Sequence, residues 1–267
     1  MSSSINTNTI SLNAQRNLAS TANLLSTSMS RLSSGLRVNS AKDDAAGLSI
    51  AERMDAQTRG MNVAIRNAND GISMAQTAEG ALGSISTNLQ RMRELAVQAA
   101  NGSNNSDDIK ALSKEMMDLS AENTRVTTAT KFNSNAVISS ASFTFQVGAN
   151  NTSDNQITVS GASFSGTAVS FSTSSGALAA MDALDADINT VTKARADWGS
   201  TQNRFDSVIS NLRISSENSA ASRGRIMDAD YATETANLSR AQVLQQAGTA
   251  MVAQANQMPQ SVLSLLK

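Results

Sequence analysis

Cysteine and histidine are both absent from this chain of 267 residues. Thiol and imidazole nucleophiles, the usual general base and the common zinc ligands are therefore missing. Catalysis would have to rest on carboxylates, lysines or the single Tyr231. Acid–base work needs carboxylates set in pairs, and here the 22 Asp and Glu residues are scattered. No enzymatic activity, no cofactor and no metal are expected. Lys and Arg together number 21, leaving a net charge of −1, which provides no long-range field for nucleic acid or anionic lipid. No apolar run approaches the roughly 20 residues of a membrane span. The opening MSSSINTNTI lacks the basic segment and apolar core of a cleavable secretory signal.

What repeats in this sequence is apolar spacing. Between Gly60 and Ala100 the residues Met61, Ile65, Ala68, Ile72, Ala75, Leu82, Ile85, Leu89, Met92, Ala96 and Ala99 fall mostly at steps of three and four. That is the stripe of one long helix, about 60 Å at 1.5 Å per residue. A helix of that length predicts a rod, and a narrow seam needs partners of similar length. Aromatics make up only 3% of the chain, which suits thin helix seams better than a globular core. Partner stripes run through Ile109, Leu112, Met116, Leu119 and Val126, and through Met181, Leu184, Ile188, Val191, Trp198, Phe205, Ile209 and Leu212. Arg195 and Gln202 occupy two positions of the second stripe.

Both ends carry stricter heptads. Leu18, Ala22, Leu25, Met29, Leu32 and Leu36 alternate steps of four and three, and Leu244, Gly248, Met251, Ala255, Met258, Val262 and Leu265 mirror them. Two such seams alone make a thin pair with exposed apolar edges, marginal in water. Their spacing fits packing within one molecule or between molecules. Pro259 is expected to kink its helix or leave a carbonyl unpaired.

The punctuation divides these stretches. Ser40 and Asp43 have the capping-box pattern and predict a helix start near Ala41. Asn101-Gly102 reads as a C-cap, and Ser106-Asp107-Asp108 as the next N-cap. Alternation at Ala141, Phe143, Phe145 and Val147 and at Ile157 and Val159 predicts a hairpin, with a third strand at Val169 and Phe171. Gly224 is expected to interrupt the next helix, with RIMDADYATE as an irregular connector anchored by Tyr231. The fold class is mainly α: an elongated antiparallel helical rod or coiled coil with paired terminal helices and a small mid-chain β-hairpin region. Three domains follow: 1–44 with 225–267 as a terminal coiled coil, 45–136 with 177–224 as the helical rod, and 137–176 as the hairpin region capping it. On the long helix, Arg91 and Leu95 are four residues apart and are expected to face outward as one patch, with an Arg91–Glu94 pair beside them.

The blocks INTNTISLNAQRNL, SSGLRVNSAKDDAAGLSIAERM, LQRMRELAVQAANG and SRAQVLQQAGTAMVAQANQMPQSVLSLLK resemble bacterial flagellin, the subunit of the flagellar filament. The resemblance covers about the first 135 and last 90 residues. It implies a secreted, extracellular helical homopolymer, exported unfolded through the flagellar type III apparatus. The partners implied are that apparatus, a flagellin chaperone, the filament cap and the hook-filament junction proteins. Implied too are an inner tube of terminal helices and a polymerisation seam at Leu18, Leu25, Met29, Leu32, Leu36, Leu244, Met251, Ala255, Met258, Val262 and Leu265. The chain is similar to a short form, with no room for the large outer domains of bigger family members. LQRMRELAVQ resembles the block that contacts neighbouring subunits along the protofilament and is read by the vertebrate Toll-like receptor for flagellin, which implies contact roles for Gln90, Arg91, Glu94, Leu95 and Glu115. Met92 stands where Val is common in that block. A hook-filament junction protein shares terminal heptads and is the alternative. A cytosolic coiled-coil scaffold is the generic reading.

Overall fold

The computed structural model describes residues 7–167 and 169–264. Its helices are α1 (Thr9–Ser34), α2 (Ala45–Ala99), α3 (Ser106–Ala129), α4 (Ser174–Met227) and α5 (Tyr231–Ser264). Its strands are β1 (Lys131–Phe132), β2 (Asn135–Ala136), β3 (Ser142–Gln146) and β4 (Gln156–Ser160). The fold is mainly α with a small hairpin, as the periodicity predicts. The chain forms two compact units: Met1–Ala56 with Asn218–Lys267, and Gln57–Glu217.

In the first unit, Asn8 caps α1 by accepting from the Ser11 N–H at 3.1 Å. Gly35 ends the helix in the left-handed region at φ 71°, with its N–H bonded to the Arg31 carbonyl. That φ suits glycine. Leu36 has therefore left the helix and bridges antiparallel to Asp228 instead of extending the α1 seam. The Arg37 N–H donates to the Met227 carbonyl and the Ala229 N–H to the Gly35 carbonyl. Val38, Ala51 and Met227 are buried together beneath this crossing.

Three boundaries differ from expectation here. The Asp43 carboxylate does accept from the Ser40 N–H and hydroxyl, but it closes a turn. The cap of α2 is Asp44, which accepts from the Gly47 N–H at 2.8 Å, so the helix starts at Ala45. Helix α4 runs on through Gly224 to Met227, leaving only 228–230 as connector. A lone glycine costs a helix only about 1 kcal/mol, which tertiary packing overrides. Tyr231 opens α5 with more than half its surface exposed, so Met227 rather than the tyrosine is the anchor. Helix α5 continues past Pro259 to Ser264.

In the second unit, Asn105 caps α3, one residue before the expected position, with a reciprocal bond between the Asp108 carboxylate and the Asn105 N–H. The apolar stripe of α2 is fully buried at Leu82, Ile85, Leu89 and Met92, as are Trp198 and Phe205 of α4. Strands β3 and β4 pair antiparallel with Phe143 opposite Val159 and Phe145 opposite Ile157. The Phe145 ring meets Phe205 edge-on at 5.4 Å and 84°, a favourable aromatic geometry. No strand forms at Val169 and Phe171, although both are buried as alternation requires. The Phe171 N–H donates to the Ser113 hydroxyl of α3 instead of to a neighbouring strand. Strands β1 and β2 flank Asn133 and Ser134, both at positive φ, the signature of a tight two-residue hairpin turn.

Candidate assembly surfaces

Helices α1 and α5 run antiparallel: Asn8 Nδ2 donates to the Ala255 carbonyl at 2.7 Å, while at the other end Arg31 reaches Glu234. The interior of the pair is small and polar. Ser11, Thr21 and Ser28 are buried on α1, and Glu234, Ala241 and Ala255 on α5. Leu18, Leu25 and Leu32 lie half-buried between them. Gly248 leaves room for the Leu18 side chain, since a Cβ there would stand 3.1 Å from Leu18 Cδ1.

These buried polar groups are paired, as burial demands. Ser11 Oγ donates to Asn256 Oδ1 at 2.7 Å, and Thr21 Oγ1 to the Asn17 carbonyl. Ser28 Oγ and Arg31 Nη1 donate to the two oxygens of Glu234, each at 2.9 Å. Burial pushes the Glu234 carboxyl up, but the hydrogen bonds from Arg31 and Ser28 and the Arg31 charge outweigh it and hold the group below its usual value.

The expected terminal seam thus splits in two. Leu18, Leu25, Leu32 and Ala255 are buried or half-buried in the pair, whereas Met29, Leu244, Met251 and Met258 are exposed, Leu244 at the edge of the cleft between α1 and α5. Met29 is 57% exposed, Met251 64% and Met258 51%. Ile10, Leu12, Leu24 and Val243 add to the outward apolar surface. Leu244, Met251 and Met258 repeat every seven residues and form one stripe along α5. The Val262 side chain and Leu265 lie outside the described residues.

The second surface lies on α2 and α3. Arg91 donates through Nε and Nη2 to Glu115 Oε1 at 3.2 and 3.0 Å, and through Nη1 to Glu94 Oε2 at 3.1 Å. The Glu115 hydrogen bond, then that of Glu94, raises the Arg91 pKa further above its already high value. Gln90 is exposed beside them.

Leu95 is not part of this surface: it is 1% exposed, which corrects the expected outward Arg91–Leu95 patch. Helix α3 is tied to one flank of α2 through Arg91–Glu115, and α4 to the other through Arg93–Asp185 at 2.6 Å. With neighbours on both sides, the buried stripe widens to take in Met92, Leu95, Ala96 and Ala99 together. The exposed apolar residue beside Gln90 and Glu94 is Val97, and these residues with Arg93 and Gln98 line a shallow groove. Sequence spacing also missed Asn123, buried on α3, which accepts from Asn88 Nδ2 at 2.8 Å. A lone polar residue on an apolar stripe was the only signal for it.

Among the described residues no group of three or more acidic side chains is placed to hold a metal ion, and no helix is long and apolar enough to cross a membrane.

Residues 5–142 match the bacterial flagellin N-terminal helical region, and residues 181–266 the bacterial flagellin C-terminal helical region. A flagellin of Halalkalibacterium halodurans is 43% identical over 270 residues, covering 98% of this chain and 99% of that protein. A flagellin of Xenorhabdus nematophila is 42% identical over 316 residues, covering all of both. A crystal structure of Bacillus cereus flagellin matches 55% of this chain and 88% of its own at 31% identity, with a TM-score of 0.50. With matches at both ends and nearly full-length relatives, the chain belongs to the bacterial flagellin family, as a short form.

Proposed function

We propose that this flagellin polymerises into the flagellar filament through the outward faces of α1 and α5, which pack as the inner tube against the same helices of neighbouring copies. The observation that carries this reading is that the terminal pair fully buries serines, a threonine, a glutamate and alanines, leaves Leu18, Leu25 and Leu32 half-buried, and keeps Met29, Leu244, Met251 and Met258 exposed. Apolar side chains left in water by one copy gain roughly 25 cal/mol per Å² when a second copy covers them. The family further supports export without a cleaved signal, an extracellular location, and export-apparatus, chaperone, cap and junction-protein partners.

Met251→Asp and Leu244→Asp test the assembly reading. Both residues are exposed in the monomer, so the carboxylate costs little there, whereas an unpaired carboxylate in an apolar seam costs several kcal/mol. The expected result is normal helicity with no filaments in electron micrographs of seeded protein. Normal filaments from both variants would refute the reading, as would unfolding of the monomer.

The exposed Arg91–Glu94–Glu115 network supports a second role, as the surface that contacts the next subunit along the protofilament and that the vertebrate Toll-like receptor for flagellin reads in the free monomer. Buried Leu95 supports that surface from beneath.

A further inference from the structure

We infer that Asn101 is a spontaneous modification site, converting to aspartate and isoaspartate through a succinimide formed with the backbone nitrogen of Gly102. Asn101-Gly102 is the sole Asn-Gly pair in the sequence. It lies in the exposed turn between α2 and α3. Three features of that turn favour the reaction. The Gly102 N–H has no hydrogen-bond partner among the described residues, so the attacking nitrogen is free. Nothing lies within 4 Å of where a Gly102 side chain would begin, so no neighbour obstructs the approach. The Ser103 N–H donates to Asn101 Oδ1 at 3.4 Å, which folds the carboxamide back over the following peptide and withdraws charge from its carbonyl carbon.

The step balances with water as its only co-reactant. The Gly102 nitrogen bonds to Asn101 Cγ, the Cγ–Nδ2 bond breaks, and Nδ2 leaves as ammonia carrying the proton from the Gly102 N–H. Water then opens the cyclic imide at either carbonyl. Opening at the Cγ carbonyl gives isoaspartate's alternative, aspartate, and opening at the main-chain carbonyl gives isoaspartate, whose backbone is one methylene longer. Either product places a carboxylate at the carbonyl end of α2, where the helix dipole disfavours negative charge. Isoaspartate also lengthens a turn otherwise closed by Asn104 Nδ2 on the Gln98 carbonyl at 2.6 Å. The modification would therefore alter the α2–α3 junction without any enzyme.

The test is peptide mapping by mass spectrometry of the full chain and of Gly102→Ala after incubation at mildly alkaline pH, with electron-transfer fragmentation to separate the two products. Asn101 is expected to lose ammonia and gain water well before exposed Asn39 and Asn133, each followed by serine, and to yield isoaspartate in excess. In Gly102→Ala, conversion should fall to the level of those two sites, because the added methyl hinders the attacking nitrogen while open space leaves the fold intact. Conversion of Asn101 no faster than Asn39 and Asn133, or undiminished in Gly102→Ala, would overturn the inference.

Discussion

The ring of Phe205 occupies the place that a side chain would take at Gly71: a Cβ there would stand 2.7 Å from Phe205 Cζ and 2.8 Å from Cε2. Phe205 cannot readily give way, since it is fully buried and braced edge-on by Phe145. Gly83 lies on the same helix with nothing within 4 Å. The two glycines therefore answer oppositely to one substitution. Gly71→Ala overpacks the core at about 1–3 kcal/mol, more than the roughly 1 kcal/mol of helix propensity it recovers. Gly83→Ala gains propensity alone. Thermal melts followed by far-UV circular dichroism should show a lowered Tm for the first and a raised Tm for the second.

Acid should loosen the terminal helix pair through Glu234. Its folded-state pKa lies below the ordinary glutamate value of 4.5. A depressed carboxyl contributes stability that is present above the unfolded pKa and is lost as pH falls through the folded one. The loss therefore begins as pH drops below about 4.5. Asp43, Asp185 and Asp230 are also depressed, so Glu234→Gln separates the contributions. That variant should be less stable than the parent at neutral pH, and the difference should shrink in acid. A constant difference across the titration would show that the Arg31–Glu234 bond does not carry the effect.

The helical spacing of the sequence was a faithful guide along the centre of the α2 stripe. Leu82, Ile85, Leu89 and Met92 are buried as their period requires. It misled at Leu95 because two flanking helices widen the stripe, and a stripe's width depends on neighbours that spacing alone does not place. At Met29, Leu244, Met251 and Met258 the periodicity picks out apolar positions that are exposed within one copy, since packing within and between copies uses the same heptad. The polar lining of the pair, Ser11, Thr21, Ser28 and Glu234, was invisible to any search for apolar residues. Phe171 shows a related limit: alternation revealed its burial correctly, yet the hydrogen bond that a strand would make goes to the Ser113 hydroxyl.

Removing the Arg91 network should separate recognition from stability. Arg91, Glu94 and Glu115 are exposed, and exposed ion pairs contribute little to folding. Arg91→Ala with Glu115→Ala should leave the melt unchanged and reduce potency in a receptor reporter-cell assay. Leu95→Ala is a poor probe of the same surface, because emptying that buried site costs about 2–5 kcal/mol of stability. Unchanged potency in the double variant would reject the patch.

The unit Gln57–Glu217 is one unbroken stretch of chain, and its main core, from Ala68 to Ile209, lies wholly inside it. A fragment of those residues should therefore fold alone. The first unit instead joins two segments from opposite ends of the sequence, and its helix pair buries small and polar groups while leaving Leu24, Met29, Leu244 and Met251 in water. Little apolar burial holds that pair together within one copy. The fragment is expected to melt cooperatively, with Trp198, which is 1% exposed in the full chain, still fluorescing from an apolar environment. It should also fail to polymerise, even with filament seeds. An exposed Trp198 in the fragment would show that its core depends on the terminal helices. Filaments grown from it would show that α1 and α5 are dispensable, and the assembly surface would have to be sought on α2, α3 and α4 instead.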